Sequence, residues 1–195
     1  MIKTPNPEQI ACQLLLSSGQ NCLPIRPEKI LQAKEIPMVS FAEFEKAVGK
    51  KNRITRHSSE GLTLFFGGVY TVLYDHTLSP SRRSWVLAHE LGHILLGHLE
   101  PDCPPQHPAA SELQADLFAR HLLCPLEILH LCHTKTHHQL ALLTGMEEAS
   151  AKLCFDALTL KRQKDQLFLL PESKILAAEF LPFISNRLND FSQTG

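Results

Sequence analysis

Several features are scarce in this sequence, and each scarcity excludes a class of protein. The 19 Lys and Arg residues almost balance the 20 Asp and Glu residues, and the formal net charge is only -1. This balance excludes a polybasic protein that binds nucleic acids or membranes through bulk charge. No apolar run approaches the roughly 18 residues of a membrane span, and none near the start is long enough for a signal-peptide core. We therefore expect a soluble, cytoplasmic protein without a membrane partner.

Paired cysteines are also lacking. The six cysteines form no C-x-x-C pair, which favours free thiols over a disulfide framework or a cysteine zinc site. The sequence contains no Gly-rich phosphate loop and no nucleophile elbow. A chain of 195 residues is long enough for one domain with a hydrophobic core, or for one domain with a small appendage.

Local patterns in the first half predict short helices followed by a hairpin. Apolar residues at helical spacing predict helices over residues 7–18, 28–34 and 41–48, the last with Ser40 as its N-cap. The period then changes, because β-rich runs at 62–66 and 69–74 flank two consecutive glycines. Such a pattern predicts a β-hairpin.

Two apolar helices are predicted next, and both are expected to be buried. The first runs from about Arg82 to Gly97 and is apolar nearly all round. The second runs from Glu112 to Leu123, with Ser111 as its N-cap and a proline after its end. The rest of the chain is predicted to be helical, except for a strand over Gln166–Leu170. Pro182 is expected to kink or end the last helix, which starts at Glu172.

The first apolar helix contains the pattern H-E-x-x-H at His89, Glu90 and His93. Residues four apart on a helix lie one above the other, so both imidazoles can reach one metal ion. Glu90 lies beside the open coordination position, where it can take a proton from water. Neutral imidazole suits zinc, and three protein ligands are typical of a catalytic zinc site. Polar groups are costly in so apolar a helix unless they are paired or bind metal, which favours a zinc site over two isolated histidines.

A third ligand is expected from the second apolar helix, where Glu112 and Asp116 lie four residues apart. Glu112 can complete a His-His-Glu set of the thermolysin type. Asp116 can accept the outward N–H of a ligand histidine and fix its tautomer. An ordinary acidic helix start is the alternative interpretation of this pair. His98 is a weaker candidate for the third ligand, because five residues rotate it away from the face of His89 and His93.

His133 and His137 are also four residues apart. Their neighbours are polar and no acidic partner is evident, so we predict a solvated helix face there rather than a metal site.

Two stretches make the sequence recognisable. Ser81–Leu96 contains H-E-L-G-H within an apolar helix, and residues 112–119 read E-L-Q-A-D-L-F-A, followed by L-L-C-P at 122–125. Together with the preceding hairpin they resemble the ImmA/IrrE family of bacterial and phage metallopeptidases. The family pattern is roughly E-x-x-A-[ND]-x-F-A and then Leu-Leu-Met-Pro, so Cys124 stands where methionine is usual. The resemblance covers about Leu62–Pro125.

The resemblance implies an α+β fold with a minimal zincin-like core. That core comprises a small antiparallel sheet or hairpin, the H-E-x-x-H helix and the glutamate helix. We assign it to residues 1–130, followed by a helical C-terminal region over 131–195.

The resemblance also implies the activity of a zinc-dependent endopeptidase with one zinc ion per chain. Members typically cleave a repressor that has a helix-turn-helix domain, and so switch on mobile-element or stress genes. The expected partner is therefore such a repressor. The family's site residues carry over to His89, His93 and Glu112 as metal ligands, Glu90 as the catalytic base, and Asp116 as the supporting acid.

Other roles stay open at this point. The hairpin edge can bind an extended substrate by strand addition, and the candidates for a second general acid or oxyanion donor are Tyr70, Tyr74, His98 and His107. A non-proteolytic zincin-like regulatory protein is one alternative.

A DNA-binding regulator is the other alternative, because residues 137–158 resemble a helix-turn-helix. The second helix of that segment begins with Glu147 and Glu148 and offers only Lys152 to phosphates. Direct nucleic-acid binding is therefore not expected, and a packing or protein-docking role is favoured.

Overall fold

The computed structural model describes residues 6–49, 60–99 and 107–193. The elements in these ranges are mainly helices, with three short strands, so the chain has the α+β composition that was predicted. The helices are α1 (Pro7–Ser18), α2 (Pro27–Ala33), α3 (Phe41–Val48), α4 (Pro80–Leu95), α5 (Pro108–Leu123), α6 (Leu126–Leu131), α7 (His137–Thr144), α8 (Glu148–Gln163), α9 (Pro171–Glu179) and α10 (Leu181–Gln193). The strands are β1 (Met38–Ser40), β2 (Gly61–Phe66) and β3 (Val69–Tyr74).

The chain divides into two compact units. One unit is Arg26–Ala119, which contains the strands, α2 to α4 and most of α5. The other combines Met1–Ile25 with Arg120–Gly195, so that α1 is grouped with the C-terminal helices. The sequence-based division at residue 130 groups α1 differently, and it remains a prediction.

The sheet has the strand order β1-β3-β2. β2 and β3 pair antiparallel around the Gly67-Gly68 turn, with Thr63 opposite Val72, so the predicted hairpin is confirmed. β1 pairs parallel with β3; its three residues are too few to show an alternating pattern in the sequence. Among the described strands, β2 forms one edge of the sheet.

The start of α4 lies two residues before the predicted one. Ser79 is its N-cap, whose side chain accepts a hydrogen bond from the backbone N–H of Arg82. Pro80 takes the first helical position, where its missing N–H costs nothing. These two residues therefore set the start of α4.

The end of α4 is set by Gly97. This residue has a φ of 74°, a left-handed conformation that glycine adopts without the steric cost of a Cβ atom. The N–H of Gly97 donates to the carbonyl of Ile94, and the N–H of His98 donates to the carbonyl of His93. This pair of hydrogen bonds is a Schellman motif. The helix therefore ends at Leu95 rather than at the predicted Gly97.

The prediction that Ser111 caps α5 is wrong. α5 begins at Pro108, and Ser111 is buried inside it, donating its backbone N–H to the carbonyl of His107. Proline at a first helical position and the two alanines that follow favour this earlier start. Glu112 therefore lies in the second turn of the helix, where the backbone is more firmly held than at a cap.

In the unit that contains the C-terminal helices, one predicted element is absent from the described residues. Gln166–Leu170 is not a strand, because Asp165 and Phe168 have positive φ angles of 51° and 59°, which interrupt an extended backbone. The expected break near Pro182 is confirmed, since α9 ends at Glu179 and α10 begins at Leu181.

α7 and α8 form a helical pair in the same unit. α7 ends at Thr144 with Gly145 as its C-cap, and α8 begins at Glu148, whose side chain is exposed. None of the helices in the described ranges combines the length and hydrophobicity needed to cross a bilayer. The described cysteines carry free thiols, whereas Cys103 lies outside the described residues.

Candidate metal centre

The two histidines of the H-E-x-x-H pattern and Glu112 converge on one point. Nε2 of His89 lies 3.0 Å from Nε2 of His93. Oε2 of Glu112 lies 3.2 Å from Nε2 of His89, and its Oε1 lies 3.5 Å from Nε2 of His93. Each of the three residues offers one ligand atom, and these three atoms all lie within 4.8 Å of one another. In the described ranges, they form the cluster of His, Cys, Asp or Glu side chains that meets this distance. Such a group can hold a metal ion.

The convergence depends on a close approach of α4 and α5 at Gly92. A Cβ atom on Gly92 would lie 2.9 Å from Cδ1 of Phe118 and 3.3 Å from the backbone of Ala115. Phe118 and Ala115 are fully buried, so neither can easily move aside. Gly92 therefore allows α5 to bring Glu112 within reach of the two histidines. In the H-E-x-x-H pattern, Gly92 is a variable position, so the pattern itself does not require a glycine there.

His89, His93 and Glu112 differ in how far their side chains are exposed to solvent. His93 is buried, and burial together with the neighbouring His89 lowers its pKa to about 4. Its imidazole is therefore neutral at pH 7, which is the form that binds metal. The side chain of Glu112 is 63% exposed, so one side of the group is open to solvent. An open side is required of a metal site that does catalysis.

Asp116 lies behind His89. Its Oδ1 is 2.9 Å from Nδ1 of His89, and because a carboxylate only accepts, the Nδ1–H of His89 is the donor. The neutral ring then carries its lone pair on Nε2, which faces His93 and Glu112. Asp116 therefore lies on the opposite side of the His89 ring from the Nε2 atom that faces His93 and Glu112.

Glu90 is buried on the neighbouring side of α4, against the sheet. Thr63 of β2 donates its hydroxyl hydrogen to Oε2 of Glu90 at 2.7 Å. Burial raises the pKa of Glu90 above its usual range, while the Thr63 hydrogen bond and the nearby His89 oppose that rise. Nothing in the sequence singled out Thr63, because one threonine in a strand carries no motif.

These side chains line a cleft of about 650 Å³. One wall is formed by the start of β2, and the floor by α4 and the first turns of α5. The lining residues other than those already described are Glu60, Gly61, Leu62, Arg82, Trp85, Val86 and Leu99. The cleft is therefore partly apolar and bordered by a sheet edge, which suits an extended peptide.

His98 does not join Glu112 at the ligand position. Its Nδ1 lies 3.1 Å from Nδ1 of His93, the ring nitrogen that points away from His89 and Glu112. On a continuous helix, a residue five positions after His93 would be rotated away from the face of His89 and His93. The helix instead ends before His98, and the turn at Gly97 folds it back onto His93.

The other candidates for a second acid or oxyanion donor lie elsewhere in the described part of the chain. Tyr70 packs against Phe65 near the hairpin tip, with ring centroids 4.6 Å apart. Tyr70, Tyr74 and His107 are not among the residues that line the cleft.

The histidine pair His133 and His137 lies in the other unit. Nε2 of His137 lies 3.0 Å from an oxygen of Glu148, so this histidine has an acidic partner that was not evident in the sequence. His133 is exposed, as expected for a solvated face, whereas His137 is half-buried beside Glu148.

Comparison with known proteins adds one finding to this geometry. Residues 34–153, more than half of the chain, match the sequence model of Peptidase_M78, described as an IrrE N-terminal-like domain. This match implies a metallopeptidase-type function, and it agrees with the resemblance seen in the sequence. No curated protein matches the chain at a significant level.

Proposed function

The chain belongs to the Peptidase_M78 family, and from that premise we propose that it is a zinc-dependent endopeptidase that hydrolyses peptide bonds by activating water. The observation that carries the proposal is the convergence of His89, His93 and Glu112 at the bottom of an open cleft. The buried carboxylate of Glu90 lines the same cleft.

Zinc fits this donor set. Bond lengths of 2.0–2.1 Å to nitrogen or oxygen give a tetrahedral site with edges of about 3.3 Å. The two Nε2 atoms are 3.0 Å apart, and each lies 3.2 or 3.5 Å from a different oxygen of the Glu112 carboxylate; these separations are close to that edge. Two imidazoles and one carboxylate, with one side open, are also the ligand types and the number found in hydrolytic zinc sites. We propose that α4, α5 and the sheet together form a minimal zincin-like core of the gluzincin type, with Glu112 as third ligand.

Glu90 is the proposed catalytic base. When bound, zinc supplies a Lewis acid that polarises the scissile carbonyl and lowers the pKa of water to about 7. Thr63 holds Oε2 of Glu90, so Oε1 is available to accept the proton of the attacking water. Burial brings the pKa of Glu90 closer to neutrality, which suits a group that first accepts a proton and then donates it to the leaving amine.

The proposed substrate is a protein segment in extended conformation. β2 lies at the sheet edge among the described strands, and its residues Gly61 to Thr63 line the cleft. A substrate strand that pairs with β2 would receive main-chain hydrogen bonds there, with selectivity left to side-chain contacts. The resemblance to the ImmA/IrrE family supports a repressor with a helix-turn-helix domain as that substrate.

Metal content is the first test. Elemental analysis of the full chain, purified without a histidine tag, should give about one zinc ion per chain. His93→Gln should lower that value sharply, because it removes one ligand and leaves the exposed surface unchanged. A wild-type chain that contains no metal and takes up none on dialysis against zinc would overturn the proposal.

Glu90→Gln tests the chemistry separately from the metal. The amide has the same shape and can still accept from Thr63, so the variant should keep its zinc and lose cleavage of a repressor encoded near this chain. Glu179→Gln, an exposed residue of α9, is the matched control and should cleave normally. If Glu90→Gln retains regulatory function in cells, the non-proteolytic alternative is correct instead.

A further inference from the structure

A row of three hydrogen-bonded side chains extends from the metal position into the protein. His93 is its first member. Nδ1 of His98 lies 3.1 Å from Nδ1 of His93, and Nε2 of His98 lies 3.0 Å from Oε1 of Gln114 on α5. His98 and Gln114 are both half-buried, and neither contributes a ligand atom to the convergent group.

The hydrogen bonds of this row all run in one donor-to-acceptor direction, from His93 towards His98 and from His98 towards Gln114. An amide oxygen only accepts hydrogen bonds, so Nε2 of His98 must carry the hydrogen that faces Gln114. In neutral His98 the other ring nitrogen, Nδ1, then has a lone pair and accepts from Nδ1–H of His93. Neutral His93 is left with its lone pair on Nε2, which lies 3.0 Å from Nε2 of His89 and faces Glu112. The reverse direction would put a hydrogen on Nε2, where a metal ion has to bind.

The backbone explains why His98 reaches His93. In the Schellman motif at the end of α4, His98 is the residue whose N–H donates to the carbonyl of His93. This motif usually brings the side chains of these two positions together in an apolar contact. Here the contact is a hydrogen bond between two imidazoles. Gly97, with its positive φ, is what allows the chain to fold back.

We propose that His98 and Gln114 are positioning residues that fix the tautomer and orientation of His93 for metal binding. The inference rests on the proposed zinc site and extends it. The two ligand histidines are held in different ways: His89 by the carboxylate of Asp116, and His93 by a neutral row that ends on an amide. In both arrangements the lone pair of Nε2 faces the same point. The hydrogen bonds from His93 to His98 and Gln114 involve no carboxylate, so they add no negative charge there.

The test measures the affinity of the full-length, metal-free chain for Zn²⁺, by competition with a chromophoric chelator. His98→Leu should weaken binding roughly 10- to 100-fold, as loss of a partner of a ligand histidine generally does. Gln114→Leu should weaken it by a smaller factor, and Gln114→Glu should restore it, because a carboxylate oxygen is an obligate acceptor for His98. Gln139→Leu is the matched control. It removes a glutamine oxygen that accepts a hydrogen bond from Lys135 in the other unit, and it should leave Zn²⁺ affinity unchanged.

A double-mutant cycle separates positioning from general stability. If Gln114 acts through His98, Gln114→Leu should have no further effect on Zn²⁺ affinity in the His98→Leu background, whereas independent structural effects would add. The visible spectrum of the Co²⁺-substituted chain should change in His98→Leu and Gln114→Leu but not in Gln114→Glu, since it reports the geometry of the ligands.

Failure of this inference can be told apart from failure of the proposed function. A wild-type chain that binds no Zn²⁺ would remove the site itself. A wild-type chain that binds Zn²⁺ with the same affinity as both leucine variants would retain the site and overturn the positioning role. Additive losses in the cycle, or a glutamate variant as weak as the leucine variant, would overturn it as well.

Discussion

The buried hydrogen bond between Thr63 and Glu90 leads to a quantitative prediction. Thr63→Val keeps the shape of the side chain and its preference for strands, and it removes only the hydroxyl. Both residues are less than 10% exposed, so the valine side chain leaves Oε2 of Glu90 without its protein donor in a largely buried position. Hydrogen bonds to charged groups contribute about 1.5–3 kcal/mol. We therefore expect Thr63→Val to lower the free energy of unfolding of the metal-free chain by about 2 kcal/mol at pH 7.5.

The loss should depend on pH. Burial raises the pKa of Glu90 and the Thr63 hydroxyl opposes that rise, so removing the hydroxyl raises the pKa further. The wild-type chain and the variant then differ most where Glu90 is charged. The difference should shrink as the pH falls and Glu90 becomes protonated in both, because a hydrogen bond to a neutral group contributes only about 1 kcal/mol.

Urea unfolding of the metal-free chain measures both effects. Trp85, the single tryptophan of the chain, lies in the same unit as Thr63 and lines the same cleft, so its fluorescence reports unfolding where the substitution is made. With a slope of about 2 kcal/mol per molar urea, the midpoint should fall by roughly 1 M at pH 7.5. It should fall by less at pH 4, which is below the usual range of a glutamate pKa and so below the raised pKa of Glu90. Thr63→Ser, which keeps the hydroxyl, should recover most of the loss. A loss below about 0.5 kcal/mol, or an equal loss at both pH values, would refute this reasoning.

Three further predictions concern the metal centre. Gly92→Ala should destabilise the chain by about 1–3 kcal/mol and weaken zinc binding, because its Cβ would lie 2.9 Å from Phe118; urea unfolding and zinc titration measure the two effects. Asp116→Ala should weaken zinc binding roughly 10- to 100-fold in chelator competition, and unchanged affinity would mean that the hydrogen bond to His89 does not orient that ring. The pKa of His93 is lowered to about 4, so the unfolded chain binds a proton at higher pH than the folded chain does. Stability of the metal-free chain should therefore fall from about pH 6.5 towards pH 4, and His93→Gln should reduce that slope in unfolding experiments.

Local signals in the sequence were sufficient to predict most of the fold. The helix over residues 7–18, the capped helix after Ser40 and the hairpin around the two glycines depend on neighbouring residues, and the structure confirms them. β1 could not be found in this way, since three residues give no period and the strand is defined by its pairing with β3. The predicted strand at 166–170 failed for a related reason. Its apolar residues satisfied the strand pattern, but the backbone at Phe168 is left-handed, which a bulky residue rarely adopts and an apolar pattern does not indicate.

The site was predictable where its chemistry follows helix spacing. His89 and His93 are four residues apart on one helix, and Glu112 and Asp116 are four apart on the next, so their shared faces could be deduced. The choice of Glu112 as third ligand implied that the two helices approach each other, but how closely they approach could not be deduced. The contact at Gly92 and the hydrogen bond from Thr63 both join residues that are distant in sequence. The position of His98 depended on where α4 ends, and helix ends are the least certain part of any sequence-based assignment.

The position of Thr63 on β2 has a kinetic consequence. Within the proposed mechanism, the strand that would receive the substrate's main chain also holds the carboxylate that activates water. A shift of β2 would change both the pairing of the substrate strand with β2 and the orientation of the Glu90 carboxylate. Residues of this strand therefore do not separate into one set that determines KM and another that determines kcat. A saturation-mutagenesis map of β2 should show the two constants moving together along the strand, with the strongest correlation at Thr63.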